Sequence, residues 1–355
     1  MGETSKVREG EELNIDNLVP YLSVIIGTAI ECLEILQFSG GYSNLTYLLK
    51  INDLQYLVLR KPPKGVNIKA GHDMSREYNI LTALYPSEIR VPKTVHFCNN
   101  HDILGSDFYL MEYVDGWILR AEISPANYPS PGDMSTIFNV FTDQFTSLHN
   151  IKYKQYGLGE LGMAENYPTR QITGWTKRYL NAKTDDIFSI KNLIQWLNDH
   201  IPLTSGSTLI HNDFKYDNLI LDRKTNDIRA ILDWEMSTIG DPLMDLGSSL
   251  GYWINEDDPD WIQSIKLSPT TLPGNASREG LLQSYSLKSG RDPGNGVFYY
   301  AYGMLKLAVI AQQIYARFAS GQTTNPKFAG LLKVVDACGV MAMQAIHKKK
   351  IDKLF

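Results

Sequence analysis

The chain has 355 residues, of which 43% are hydrophobic and 21% are charged, and its formal net charge is −5. That length predicts two domains or lobes with a core of ordinary size, and the acidic balance argues against nucleic-acid binding, which usually needs a basic face. The N-terminal "MGETSKVREGEEL" lacks a signal-peptide pattern, and the apolar run "YLSVIIGTAI" is about half as long as a membrane span. A cytoplasmic protein without a membrane or nucleic-acid partner is therefore expected.

The first half of the chain predicts a small, mostly antiparallel sheet. Apolar residues recur at helical spacing over residues 12–36, and turn-forming residues separate the β-like segments "ILQF", "TYLLKI" and "YLVLRK". The segment "SREYNILTALY" predicts a helix with Ser75 as its N-cap, and "VPKTVHFC" and "FYLMEYV" predict two more strands. One helix is thus expected after the third strand.

The second half predicts a larger helical region that contains one β-hairpin. Long helical periodicities include "MSTIFNVFTDQFTSLHNI" and "FYYAYGMLKLAVIAQQIYARFA". The hairpin consists of "NLILD" and "IRAILD", joined by the turn-forming "RKTND". The acidic run "NEDDPDW" is interpreted as a solvated loop that contains Glu256, Asp257, Asp258 and Asp260.

A polar cluster interrupts the apolar segment "LIHNDFKYDNLIL", residues 209–221. In an antiparallel hairpin the start of one strand lies beside the end of the next, so Asn218 and Asp233 are expected together, with Asp213 at the same end. An amide and a carboxylate suit Mg²⁺, and a further carboxylate can accept a proton from a hydroxyl group. Phosphoryl transfer requires this combination, whereas the alternative is a set of turn-capping residues.

The motifs of this region resemble a known superfamily. "HNDFKYDN", followed by "ILDWE" and "GDPLMDLG", is similar to the H-x-D-x-x-x-x-N…D pattern of the aminoglycoside phosphotransferase and choline kinase superfamily. The resemblance extends to "FSGGYSNLTYLL", "LVLRKPP" and "FYLMEYVDG", and is closest to the branch associated with acyl-CoA dehydrogenases. It implies an α+β, protein-kinase-like fold of two lobes: an antiparallel-sheet N-lobe, residues 1–114, and a helical C-lobe, residues 115–355.

The resemblance also implies roles for the polar cluster. Asp213 would be the catalytic base, and Asn218 and Asp233 would bind Mg²⁺. His211 would brace the catalytic loop, and Asn212 replaces the glycine that is usual in the family pattern. Two later carboxylates would be structural: Asp245 as an acceptor that supports the loop, and Asp241 as a helix N-cap.

The nucleotide site is expected in the first half of the chain. By resemblance, Arg60 stands where most kinases have a lysine, with Glu77 as its partner, although a surface ion pair is the alternative. Lys61 should point to the other face of the sheet. The remaining nucleotide contacts would come from the backbone at the hinge and from the phosphate-covering loop: Glu112 and Val114, and Ser39, Gly40, Gly41, Ser43 and Asn44.

The expected activity is transfer of the γ-phosphate of Mg-ATP to a hydroxyl group of a small molecule. The alternative is a nucleotide-binding pseudokinase or scaffold without turnover. Aminoglycosides and choline are cations and need an acidic pocket, whereas "NYPTRQITGWTKRYL" offers Arg170, Trp175, Lys177, Arg178 and Tyr179. This segment and the acyl-CoA-linked branch favour a hydroxyacyl-type acceptor, although an exposed helix face would explain the same residues.

Overall fold

The structure is a computed structural model that describes residues 4–38, 44–63, 72–323 and 325–355. The chain divides into two units. The first unit contains Met1–Gly116 and Arg229–Met236, and the second contains Trp117–Ile228 and Ser237–Phe355.

Six strands of the first unit form one antiparallel sheet: β1 (Thr4–Ser5), β2 (Leu33–Phe38), β3 (Leu45–Ile51), β4 (Gln55–Lys61), β5 (Thr94–Cys98) and β6 (Phe108–Glu112). Their order is β1-β2-β3-β4-β6-β5. In this register, Arg60 lies opposite Thr46 of β3 and Tyr109 of β6. Alternation along β4 therefore fixes which face of the sheet receives Arg60 and which receives Lys61. The Lys61 Nζ atom donates to Leu104 O at 3.1 Å, away from the partners of Arg60.

In the described part of the first unit, three α-helices accompany the sheet: α1 (Ile15–Ile26), α2 (Met74–Leu84) and α3 (His101–Leu104). The expected helical spacing up to residue 36 is wrong beyond Ile26, because Gly27 adopts the left-handed conformation, φ 69°, and ends α1. The expected N-cap of α2 is also wrong. Asp73 caps the helix through the Arg76 amide at 3.0 Å, and Ser75 lies inside it and donates to Asp73.

The second unit is mainly helical. Its helices are α4 (Pro131–Asn150), α5 (Tyr167–Ala182), α6 (Phe188–Asp199), α7 (Pro242–Leu250), α8 (Asp260–Gln263), α9 (Arg278–Ser289), α10 (Val297–Ala319) and α11 (Leu331–Lys348). Helix α10 packs against α5, α6, α7 and α11, and most of its residues are buried. It is thus the central helix of this unit.

Along the described chain, four short strands precede and follow the polar cluster: β7 (Thr208–Ile210), β8 (Leu219–Leu221), β9 (Ile228–Ile231) and β10 (Thr238–Gly240). Strands β7 and β10 pair antiparallel. Strands β8 and β9 are the two strands of the predicted hairpin, and the Asp222 amide donates to Asp227 O at 2.8 Å in the segment between them. Helix α7 follows β10 directly, with Asp241 as its N-cap, as predicted.

The acidic run before α8 differs from its interpretation as a solvated loop. Asp258 is buried and makes a bidentate ion pair with buried Arg278 at the start of α9, with N–O distances of 2.6 and 2.7 Å. Burying a carboxylate requires such a partner, and the run alone gives no indication of an arginine twenty positions later. The other acidic residues of the run, Glu256, Asp257 and Asp260, are exposed.

Among the described residues, one helical segment, Pro326–Lys348, is long and apolar enough to cross a membrane by length and composition. Its α11 part packs against α10 and α6 and buries Val335, Ala342 and Ala345, as the core helix of a globular unit does. The antiparallel sheet of one unit and the helices of the other confirm the predicted α+β class.

Candidate active site

The predicted catalytic loop, residues 211–218, follows β7 in the second unit, and one carboxylate of α7 anchors it. Asp245 Oδ2 accepts the backbone N–H of His211 at 2.7 Å, and its Oδ1 accepts that of Asn212 at 2.8 Å. Asp245 is fully buried. Its predicted role as a structural acceptor for this loop is confirmed.

Asp245 keeps its negative charge despite this burial. Burial alone would raise its pKa, but the hydrogen bond from His149 and the His211 backbone N–H hold the pKa of Asp245 below its ordinary value. His149 Nε2 lies 3.1 Å from Asp245 Oδ2, and His149 Nδ1 lies 2.6 Å from Tyr285 Oη. Burial lowers the pKa of His149, which favours the neutral imidazole. A buried chain of hydrogen bonds from Tyr285 through His149 to Asp245 thus supports this loop.

Asn212 has a backbone conformation that few residues accept. Its φ is +65°, in the left-handed region, and its side chain is buried. Its Oδ1 accepts a hydrogen bond from Tyr167 Oη at 3.2 Å. Glycine suits such a conformation best, and asparagine is among the residues that tolerate it best. The departure from the family glycine therefore leaves the turn intact.

Asp213, the predicted base, contacts Asn218 and Lys215. Asn218 Nδ2 donates to Asp213 Oδ2 at 3.0 Å and to Asp213 O at 2.8 Å, and Lys215 Nζ lies 3.0 Å from Asp213 Oδ2. Burial would raise the pKa of Asp213, but Lys215 and Lys306 more than offset it and lower that pKa below its ordinary value. The carboxylate is therefore ionised and able to accept a proton at neutral pH.

Lys215 is a residue that the sequence analysis did not single out. Its ammonium group pairs with Asp213 and lies 4.5 Å from the centre of the Tyr252 ring. Burial would lower the pKa of Lys215, but Asp213 and Tyr252 raise it, so the amine stays charged. Its position two residues after the base, in "DFK", was the available signal.

The predicted pair of Arg60 and Glu77 is present in the first unit and is buried. Arg60 Nε lies 2.9 Å from Glu77 Oε2, and the side chains are 10% and 2% exposed, which excludes the surface ion pair. Arg60 Nη2 also lies 2.5 Å from Asp233 Oδ1 and 3.5 Å from Glu235 Oε2. One guanidinium group therefore contacts three carboxylates. Glu235 is a further residue that the sequence analysis missed.

The cluster of Arg60, Glu77 and Asp233 has shifted pKa values and an unusual backbone conformation. Burial would lower the pKa of Arg60, but Glu77 and Asp233 hold it well above its ordinary value. Burial and Asp233 raise the pKa of Glu77 against the opposing effect of Arg60. Glu77 Oε1 also accepts the Trp234 N–H at 3.2 Å, and Asp233 has φ +67°. Left-handed conformations of residues other than glycine concentrate at functional sites.

Of the predicted phosphate-covering loop, Ser39, Gly40, Gly41 and Ser43 lie outside the described residues. Asn44, its last residue, is buried. Asn44 Nδ2 donates to Glu235 Oε2 at 2.7 Å, and Asn44 Oδ1 lies 3.0 Å from His72 Nδ1. Asn44 is thus held beside the group of carboxylates around Arg60.

The predicted hinge follows β6. Glu112 ends that strand, and its backbone N–H donates to Lys93 O at 2.9 Å. Glu112 Oε1 accepts the Lys93 N–H at 3.0 Å. The Glu112 side chain is therefore bonded to the residue that immediately precedes β5. Val114 lies beyond the strand. Contact of this backbone with adenine stays a prediction.

The two predicted Mg²⁺ ligands lie in different units, Asn218 in the second and Asp233 in the first. Their chemistry fits a hard cation. Three carboxylates surround one guanidinium group in the first unit, and carboxylate oxygens are ligands that Mg²⁺ prefers. The amide nitrogen of Asn218 is engaged by Asp213, so its carbonyl oxygen is the atom that can bind a cation. Convergence of these two residues stays a prediction.

Comparisons with known proteins identify the family of this chain. The model of the family described as "Phosphotransferase enzyme family" matches residues 34–277. Acyl-CoA dehydrogenase family member 10 of Mus musculus is 34% identical over 325 residues, which are 91% of this chain and 30% of that protein. The chain therefore spans less than a third of the length of this relative.

Solved structures show the same fold. The crystal structure of a Ralstonia eutropha protein assigned as an aminoglycoside phosphotransferase is 27% identical, with a TM-score of 0.78, and the match covers 95% of this chain and 99% of that one. A choline kinase of Cryptosporidium parvum has a TM-score of 0.61 at 14% identity, covering 91% and 92%. The predicted protein-kinase-like fold is confirmed.

Proposed function

Because the chain belongs to the phosphotransferase enzyme family, we propose that it transfers the γ-phosphate of Mg-ATP to a hydroxyl group of a small molecule. Family membership makes the chain a small-molecule kinase. The nucleotide, the metal and the acceptor are the parts that we propose. A cytoplasmic location belongs to the same proposal, since ATP is supplied there.

The observation that carries the proposal is the ionised Asp213 beside Lys215 and Asn218. A carboxylate that is charged at neutral pH can accept the proton of an acceptor hydroxyl group as its oxygen attacks phosphorus. Lys215 Nζ, 3.0 Å from Asp213, supplies positive charge where the transferred phosphoryl group carries negative charge. Asp245 keeps the loop rigid, so the carboxylate does not have to be reoriented in each turnover.

The nucleotide is proposed to bind through residues of the first unit. Arg60 would pair with the phosphates, and Asn44, with the glycine-rich loop before it, would cover them. The backbone of Glu112 and Val114 would meet the adenine edge. Mg²⁺ would be held by Asn218 and Asp233, where it would supply charge neutralisation for the phosphates.

We propose a hydroxyacyl-type acceptor in preference to an aminoglycoside or choline. The cations Lys215 and Lys306 of the second unit both lower the pKa of Asp213. Arg178 lies on α5, 4.5 Å from the centre of the Trp175 ring. Such surroundings favour an acceptor that carries negative charge and disfavour cations. The name of the acyl-CoA dehydrogenase relative supports the same class.

The test is phosphate transfer from labelled ATP to a panel of hydroxy acids, hydroxyacyl-CoAs, aminoglycosides and choline. The variants are Asp213→Asn and Asp233→Ala, with Asp227→Asn, an exposed loop residue, as control. Asp213→Asn should lower turnover by about 10²–10⁴-fold and keep Mg-ATP affinity, because only the proton acceptor is removed. Asp233→Ala should abolish both, because it removes a metal ligand.

Three results would contradict this proposal. They are wild-type turnover by Asp213→Asn, normal Mg-ATP binding by Asp233→Ala, and absence of transfer to every acceptor together with normal Mg-ATP binding. The last result is the one expected of a pseudokinase. Transfer to aminoglycosides or choline in preference to hydroxyacyl compounds would leave the reaction intact and overturn only the acceptor class.

A further inference from the structure

A buried lysine of α10 reaches the catalytic loop. Lys306 is 3% exposed, and its Nζ atom donates hydrogen bonds to Asn212 O and, at 3.2 Å, to Ser248 Oγ of α7. The same ammonium group lies 5.8 Å from the centre of the Trp175 ring. An uncompensated amine is costly to bury, so its interactions must offset the loss of water.

The hydrogen bond from Lys306 acts on the peptide unit that leads into the predicted base. The carbonyl group of Asn212 and the N–H group of Asp213 belong to one planar unit. Lys306 holds the carbonyl end, and His211 Nδ1 accepts the N–H end at 3.2 Å. A planar unit held at both ends resists rotation, which restrains the backbone from which the Asp213 side chain projects.

The left-handed conformation of Asn212 makes this restraint important. At φ +65°, the loop occupies a region that non-glycine residues rarely adopt, and a neighbouring conformation would rotate the peptide between Asn212 and Asp213. Asp245 holds Asn212 by its N–H group. Lys306 thus restrains the carbonyl side of this residue.

We infer that Lys306 is a positioning residue, which orients the Asp213 carboxylate by holding the peptide between Asn212 and Asp213. This inference rests on the proposed function for its catalytic consequence, but the restraint itself does not require turnover. Lys306 touches neither the acceptor nor the nucleotide in this assignment. It acts through the loop and through its charge.

The charge of Lys306 predicts a dependence on pH. Burial lowers its pKa to about 8, while Asp213 and Asp245 oppose that shift and Lys215 and Arg178 add to it. Below pH 8 the ammonium group is charged, so its hydrogen bond to Asn212 O is charge-assisted and strong. As pH rises through about 8, this charge is lost, so turnover should decline on the alkaline side.

The first experiment measures hydrogen exchange of the amides of residues 211–213 in the nucleotide-free protein. The variants are Lys306→Met, which removes the donor, and Lys306→Gln, which keeps a neutral donor. Gln312→Met is the matched control, because Gln312 is a buried polar residue of the same helix that bonds to Ala182 O and Thr184 Oγ1. Thermal unfolding establishes that each variant is folded at the temperature used.

Lys306→Met should speed exchange of these amides by about tenfold to hundredfold, the usual effect of losing a buried hydrogen bond to a charged group. Lys306→Gln should show a smaller increase, and Gln312→Met none. Unchanged exchange in Lys306→Met would overturn the inference. An equal increase in Gln312→Met would do the same, since it would reflect loosening of α10 as a whole.

The second experiment follows the slow hydrolysis of Mg-ATP in the absence of an acceptor between pH 6 and 10. Wild-type activity should fall above pH 8, whereas Lys306→Met and Lys306→Gln should lack this alkaline decline and have a lower kcat with an unchanged KM for Mg-ATP. An alkaline decline that persists in both variants would overturn the inference. If the wild type neither hydrolyses ATP nor transfers phosphate, the proposed function fails, and the exchange measurement alone decides the positioning role.

Discussion

At the scale of single residues, the left-handed conformation of Asn212 has a measurable cost. Asn212→Gly and Asn212→Ala both remove the acceptor of the Tyr167 hydroxyl group, so their difference isolates the backbone. Glycine adopts φ +65° without strain, whereas this conformation raises the energy of an alanine residue by roughly 1–2 kcal/mol. We expect Asn212→Ala to have a free energy of unfolding lower than that of Asn212→Gly by this amount in urea titrations. Equal stabilities would show that the loop changes conformation in the variants.

The sequence predicted some of these residues and missed others for a physical reason. Asp213 and Asn218 stand in the motif "HNDFKYDN", and Glu77 stands in the helix that follows the strand of Arg60. A pattern along the chain was therefore enough to select them. Lys306 lies 94 residues beyond Asn212 in an apolar helix, and only packing of α10 brings it to the loop. A single lysine in the buried run "YGMLKLAV" was the one available signal.

At the scale of elements, α7 and α10 approach each other through glycines. A Cβ atom added to Gly303 would lie 2.0 Å from Gly247 O, and one added to Gly247 would lie 2.5 Å from Tyr299 O. Both obstacles are backbone atoms, which cannot rotate away. This close approach sets the distance between the helix that carries Asp245 and the helix that carries Lys306.

We therefore expect Gly303→Ala to lower the free energy of unfolding by about 1–3 kcal/mol, the usual cost of overpacking. Gly174→Ala in α5 is the matched control, because a Cβ atom there meets no atom within 4 Å. It should raise stability by about 0.5–1 kcal/mol, since alanine is the better helix former. Denaturant titration measures both changes, and a neutral Gly303→Ala would contradict the tight contact.

At the scale of the whole molecule, the sequence predicted the antiparallel sheet, the helical second half and the family pattern. It did not predict that Arg229–Met236 packs with the first unit. The hydrogen bonds that hold that segment there include Ile231 N to Arg90 O, Trp234 N to Glu77 Oε1, and Arg76 Nη1 to Glu235 O. Such contacts link residues more than 130 positions apart, and no local periodicity encodes them.

Ligand binding should stabilise the whole fold. A ligand present at a hundredfold excess over its Kd adds about 2.7 kcal/mol to the free energy of unfolding. We expect Mg-ATP to raise the thermal midpoint, and ATP with a chelator to raise it less, because the proposed site needs the metal. An unchanged midpoint with Mg-ATP at saturating concentration would count against nucleotide binding.

Arg60 already occupies an oxygen of the proposed metal ligand, and this has a consequence for the order of binding. A cation at Asp233 Oδ1 must compete with the guanidinium group 2.5 Å away, and the displaced guanidinium group would then be available to phosphate. Metal and nucleotide should therefore bind cooperatively, each raising the affinity of the other by the same factor. Titration calorimetry should find Mg²⁺ binding weak in the free protein and stronger by about 5–150-fold with a non-hydrolysable ATP analogue present. Arg60→Met should reduce this cooperativity. Without the Arg60 guanidinium group beside Asp233, Mg²⁺ would have no competitor to displace in the nucleotide-free protein.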